Sequence, residues 1–188
     1  MRDKFVVVTG ASTGIGRATA VEFGKQGVTV GLVARRADKL EETKKLVEET
    51  GGKAEIFVAD LSDLGSVNDL IEKIKSKTDS ISALVNVAGI WHGKDEVFAG
   101  KDLEDFDQKT ILDTYMVGFT SPTLLVHGLL DLLAADSAKI VNISGTFENG
   151  AKGWLPYYAS KKGIRRLNGR ISGRIKAVIY SCKLYFSF

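Results

Sequence analysis

Cysteine occurs once in the 188 residues, as Cys182, and histidine twice, as His92 and His127. One thiol forms no internal disulfide framework and no cysteine-based zinc site, which suits a reducing compartment. Two isolated histidines do not make histidine-rich metal chemistry. Proline is also scarce, at Pro122 and Pro156, and no Pro/Gly linker, repeat or low-complexity tract divides the chain. A single domain over residues 1–188 is therefore expected. No apolar run reads as a membrane span. The longest, from about Val117 to Ala135, contains Pro122, His127 and Asp131 and reads as a buried helix, kinked or begun at Pro122. The run Phe5 to Val8 is too short for a signal peptide, so a cytoplasmic protein is expected. Acidic residues are missing after Glu148, whereas nine of the 26 basic residues follow it. Such a tail fits an anionic partner, or a segment foreign to the rest of the chain. Its aromatics do not interleave with the basic residues in a recognition pattern, which argues against nucleic acid.

What remains is the composition of an ordinary globular protein, 44% hydrophobic and 26% charged, long enough to bury a substantial core. Short β-branched runs alternate with helical patterns. The expected strands are Phe5–Thr9, Thr29–Ala34, Ala54–Ala59, Ala83–Val87 and Lys139–Ser144. Each is almost continuously apolar, as in parallel strands covered on both faces. Between them, Val67, Leu70, Ile71 and Ile74 make one helical stripe, Asp38–Thr50 reads as a helix ended by Gly51-Gly52, and Gly16–Gly24 opens another. This alternation predicts an α/β fold, a doubly wound parallel sheet with helices on both faces.

Gly10, Gly14 and Gly16 in "VVVTGASTGIGRATA" lie directly after the first strand and at the start of a helix. A strand-to-helix turn of this kind lets backbone approach a pyrophosphate, which the helix N-terminus then attracts. A glycine-rich turn without ligand is the plainer alternative. After the second strand comes Ala34, where an acidic residue would bond a ribose 2′-hydroxyl, and then Arg35 and Arg36. Guanidinium forks suit a 2′-phosphate, so NADP(H) is expected over NAD(H), although two solvated arginines would look the same.

On these and three further motifs the sequence resembles the short-chain dehydrogenase/reductase family over about residues 3 to 165. "TGASTGIG" looks like its Thr-Gly-x-x-x-Gly-x-Gly loop, "VADLSD" carries Asp60 where the family holds adenine, and "NVAG" is similar to its Asn-Asn-Ala-Gly element. "YYASK" supplies Tyr157 and Lys161 as Tyr-x-x-x-Lys, with Ser144 thirteen residues before Tyr157. Individually, Asp60 reads equally well as a helix cap, Asn86 as a strand end and Ser144 as a turn serine. The resemblance implies strand order 3-2-1-4-5-6 with the last strands incomplete. It also implies a cofactor site of Gly10, Ser12, Thr13, Gly14, Ile15, Gly16, Arg35, Arg36, Asp60, Leu61, Asn86, Ala88, Gly89, Tyr157 and Lys161. Pairing through the helices containing Pro122 and Tyr157, as a homodimer or homotetramer, is implied as well.

Tyr157 and Lys161 are i and i+4 and share one helix face. A cation beside a phenol favours the phenolate, which turns Tyr157 into a usable acid or base. Ser144 would hold the substrate oxygen. The implied reaction is hydride transfer between NADP(H) and a small carbonyl or alcohol substrate; the alternative is an NADP(H)-binding protein without turnover. Tyr158 faces elsewhere and reads as packing. Trp91, Phe147 and Trp154 read as pocket lining or loop anchors.

Two departures stand out. Where the family places an asparagine in the helix after the fourth strand, "YMVGF" places Tyr115, and no asparagine occurs between Asn86 and Asn142. In "RIKAVIYSCKLYFSF" a sixth strand is expected at about Ile175–Tyr180, followed by Ser181-Cys182 in place of the family's Pro-Gly. Gly163, Gly169 and Gly173 should interrupt the preceding helix, each at about 1 kcal/mol. Residues 166–188 thus form an atypical segment, and truncation or alteration near residue 165 is expected.

Overall fold

The computed structural model describes residues 4–90, 92, 98, 100–135, 138–146, 155–167 and 176–183. The strands are β1 (Phe5–Thr9), β2 (Thr29–Ala34), β3 (Lys53–Val58), β4 (Ala83–Asn86), β5 (Lys139–Thr146) and β6 (Lys176–Lys183). The helices are α1 (Gly14–Gly24), α2 (Ala37–Glu49), α3 (Leu64–Lys75), α4 (Gln108–Tyr115), α5 (Ser121–Gly128), α6 (Leu130–Ala135) and α7 (Leu155–Leu167). All six strands pair in parallel in the order β3-β2-β1-β4-β5-β6. The doubly wound fold and its strand order are as the sequence implies.

Alternation along β1 shows how the core is divided. Phe5 and Val7 face a cluster with Val67, Leu70 and Ile74 of α3 and Leu125 of α5. Val6 and Val8 face the opposite cluster with Ala20 of α1 and Leu40 and Val47 of α2. Neighbouring residues of β1 thus bury against different helix layers, which is why that strand lacks a polar face.

Some elements differ from expectation. The apolar stretch Val117–Ala135 is not one helix. A π turn, Met116–Thr120, joins α4 to α5, with the Ser121 N–H donating to the Met116 carbonyl five residues back. Pro122 follows in the first turn of α5, having no N–H to continue the regular ladder. The chain leaves helical geometry again at Leu129 before α6 starts. Gly163 does not interrupt α7: a Cβ there would stand 3.1 Å from the Phe119 ring, so the glycine lets the π turn approach. β6 runs through Ser181 and Cys182 instead of ending before them, in register with Ser144 and Gly145 of β5. Neither residue is proline, so both keep the N–H that a ladder requires. Gly169 and Gly173 lie outside the described residues, as do Trp91, Phe147 and Trp154.

Candidate active site

Register places the polar ends of β1 and β4 beside Asn142 in the middle of β5. Thr9 of β1 pairs with Asn86 of β4, and Asn86 with Asn142 of β5. All three are buried, and the Asn86 Nδ2 donates to Asn142 Oδ1 at 2.8 Å. Asn86 Oδ1 is left as a buried acceptor without a partner among the described residues, a group that a water or ligand donor would satisfy. This row marks the carboxyl ends of the strands where the strand order reverses between β1 and β4, the place where open α/β sheets leave a crevice.

The glycine loop lies at that reversal. Gly10 has φ 68° and its missing Cβ would come 3.0 Å from the Ala88 nitrogen. Thr9 fixes the same approach, its Oγ1 accepting from the Val87 and Ala88 N–H groups at 3.1 and 3.2 Å. Gly16 lets α1 close onto the turn, since a Cβ would stand 2.2 Å from the Gly10 carbonyl oxygen. Gly14, at φ 54°, has open space where its Cβ would be. Thr13 is the N-cap residue of α1 but its side chain caps nothing, and Thr13, Gly14 and Ile15 are exposed. The helix therefore presents its first N–H groups outward. Ser12 is half-buried beside them.

Arg35 and Arg36 are exposed at the end of β2, with Arg36 the N-cap of α2. Asp60 follows β3, where its Oδ1 accepts from the Ser62 N–H at 2.9 Å and the Ser62 hydroxyl at 2.7 Å. Burial pushes the Asp60 carboxyl up, but the Ser62 bonds and the charges of Arg35 and Lys109 outweigh it and hold the group below its ordinary value. The cap of α3 is Asp63, which accepts from the Ser66 N–H, so Asp60 is not needed for that. Leu61 is buried, its carbonyl accepting from the Ser121 hydroxyl of α5 at 2.7 Å.

On the other side of the crevice, α7 begins with Pro156 in its first turn, which fits the fixed proline φ. It carries Tyr157 and Lys161. The Lys161 Nζ lies 5.4 Å from the Tyr157 ring centroid and donates to the Ile143 carbonyl at 2.9 Å. Ser144, 2% exposed, points its hydroxyl at the Lys161 carbonyl at 3.4 Å. Gly89 closes the gap to the first loop: a Cβ there would be 3.4 Å from Tyr157 and 3.5 Å from the Lys161 Nζ. The structure thus joins Gly10 to Ala88 and Gly89 to Tyr157 and Lys161, with Ser144 behind them. Tyr158 pairs with Lys162 instead, whose Nζ is 5.2 Å from its ring centroid. Tyr115, 37% exposed, ends α4 just before the π turn.

Burial lowers the Lys161 ammonium to about 8. Against its ordinary value of 10.5, that difference corresponds to about 3 kcal/mol at neutral pH. Between about pH 8 and 10.5 the unfolded chain binds more protons than the folded one, so stability rises with pH across that window. Lys161→Met should flatten this rise; urea-unfolding midpoints that climb equally in both proteins would refute it.

Sequence reasoning missed several supports of the site. Asn142 is the one amide inside an apolar strand run, a signal that could have marked it. The hydroxyl of Thr9 gave no signal, because its partners lie 78 and 79 residues away.

A parallel sheet that reverses at a glycine turn, with a Tyr-x-x-x-Lys pair across the crevice, defines the chain as an α/β domain of the dinucleotide-binding type. The sequence model described as short chain dehydrogenase matches residues 4–175, and the chain belongs to that family. It is 31% identical over 179 residues to a fatty acyl-CoA reductase of Acinetobacter baylyi, covering 93% of this chain and 58% of that protein. It is 32% identical over 179 residues to a 3beta-hydroxysteroid dehydrogenase of Mediterraneibacter gnavus, covering 94% of this chain and 59% of that one. The chain therefore spans less than two thirds of the length of these curated relatives. Among solved structures it is similar to a metagenomic short-chain oxidoreductase in complex with NADP, with TM-score 0.86 and 26% identity, covering 96% of this chain and 82% of the other. No helix among the described residues is long and apolar enough to cross a membrane.

Proposed function

We propose that the chain is an NADP(H)-dependent oxidoreductase that interconverts a small carbonyl compound and its alcohol, with Tyr157 as the acid or base. The carrying observation is the approach of Tyr157 and Lys161 to Gly89, where an added Cβ would stand 3.4 and 3.5 Å from them. It makes the glycine turn and the Tyr–Lys pair walls of one crevice. The fit to a dinucleotide rests on the open side of Gly14, the outward N–H groups of α1 and the close approach at Gly10. In this reading the N-terminus of α1 and residues Ser12 to Gly16 hold the pyrophosphate. Asp60 and Leu61 lie by the adenine, and Asn86, Ala88 and Gly89 line the floor.

When bound, the nicotinamide supplies or accepts the hydride. Ser144 donates to the substrate oxygen and Tyr157 gives it a proton in reduction, or removes one in oxidation. Lys161, buried beside the phenol, favours the phenolate whenever it is charged. Its depressed value places that charge change close to neutral pH. Pairing through α5 and α7 as a homodimer or homotetramer belongs to the same reading.

Arg35 and Arg36 are assigned to the 2′-phosphate. Replacing both by alanine should weaken NADPH binding about tenfold while leaving NADH within about twofold. Fluorescence titration of both cofactors reads this directly, and an unchanged NADPH-to-NADH ratio would remove the assignment.

A reading without turnover is favoured by one observation, Tyr115 in the place of the family asparagine. Both readings predict cofactor binding, and only the first predicts a reaction that depends on Tyr157.

A further inference from the structure

The glycine turn is held from behind by side chains of α1 and α2. The Arg17 Nε and Nη2 both donate to the Ser12 carbonyl, at 3.1 and 2.6 Å. The same guanidinium donates to Thr43 Oγ1 at 3.1 Å and to Glu42 Oε2 at 3.0 Å. Thr43, fully buried, directs its hydroxyl to the Ala11 carbonyl at 2.9 Å, and its single proton is contested by the Lys39 carbonyl at 3.0 Å. The Ala11 N–H is anchored separately, on the Val33 carbonyl of β2.

Two consecutive carbonyls of the turn are thus captured, that of Ala11 by Thr43 of α2 and that of Ser12 by Arg17 of α1. In a planar trans peptide the carbonyl of one residue and the N–H of the next point in opposite directions. Capture of the Ala11 carbonyl therefore turns the Ser12 N–H away from α2, and capture of the Ser12 carbonyl turns the Thr13 N–H away from the Arg17 guanidinium. Without these captures the peptides are free to rotate and offer an oxygen where an anion needs a donor. The Arg17 charge is offset by Glu42, so its action here is orientation and not attraction.

We propose that Arg17 and Thr43 are positioning residues that set the peptide planes of the Ala11–Thr13 turn for a dinucleotide diphosphate. The inference rests on the proposed cofactor site and extends it to residues outside the glycine motif. It predicts a defect confined to ligands that contain the diphosphate.

Thr43→Val keeps shape and removes the hydroxyl; Thr43→Ser restores it. Calorimetric titration with NADPH, NADH and adenosine 2′-monophosphate separates the parts of the ligand. Thr43→Val should weaken both dinucleotides about tenfold and leave the diphosphate-free nucleotide within about twofold. Thr43→Ser should return the dinucleotides to the unmutated affinity, and Arg17→Gln should follow Thr43→Val. Equal loss for all three ligands, or no loss for the dinucleotides, overturns the inference while leaving the cofactor site in place. Failure of the unmutated chain to bind either dinucleotide overturns both. Should Thr43→Val lose its folded circular-dichroism spectrum, Arg17→Gln, at a half-buried side chain of α1, decides by the same three titrations.

Discussion

Tyr157→Phe is expected to lower kcat/KM for carbonyl reduction by about 10³-fold, the scale of a positioned general acid. Only a hydroxyl is removed, on a ring half-buried against Lys161. Cofactor affinity should stay within about twofold, since a lost proton donor acts on the transition state and not on uniform binding. Stopped-flow hydride transfer together with NADPH titration makes the comparison. Equal rates for the two proteins would move the acid elsewhere. Undetectable turnover in the unmutated chain, with tight NADPH binding, would favour the reading in which Tyr115 disables the site.

Gly16→Ala is expected to be the most damaging small substitution in the glycine turn. Its Cβ would lie 2.2 Å from the Gly10 carbonyl oxygen, and both partners are backbone. Nothing flexible can yield, so α1 must shift off the turn, at about 3 kcal/mol or more. Gly14→Ala provides the internal comparison. Open space surrounds that Cβ, and the cost is the positive φ alone, about 1–2 kcal/mol. Urea unfolding of the two variants should rank Gly16→Ala well below Gly14→Ala. The reverse order would mean that α1 does not pack on the turn as described.

Much of the site was legible because its motifs are local. Gly10, Gly14 and Gly16 announce a turn before a helix whatever lies elsewhere, and Tyr157 and Lys161 are joined by helical spacing alone. The expected strands at Phe5–Thr9 and Thr29–Ala34 coincide with β1 and β2. β3 is displaced by one residue to Lys53–Val58, as its pairing with β2 requires. Gly163 and the Val117–Ala135 run were misread because local propensity was overruled by packing. Gly163 lies inside α7 against Phe119, and the run is divided by a π turn and by Leu129.

By itself the sequence determined the alternation of strands and helices, the glycine turn, and the i, i+4 pairing of phenol and amine. These follow from backbone sterics and helical period, which act over a few residues. Only the tertiary structure decided that Gly89 meets Tyr157 and Lys161, that Asn86 bonds Asn142, and that Arg17 and Thr43 hold the turn from behind. Those contacts join residues 5 to 72 positions apart, through strand order and register in a parallel sheet and the packing of helices on it. A short chain segment carries no physical trace of which strand will lie beside it.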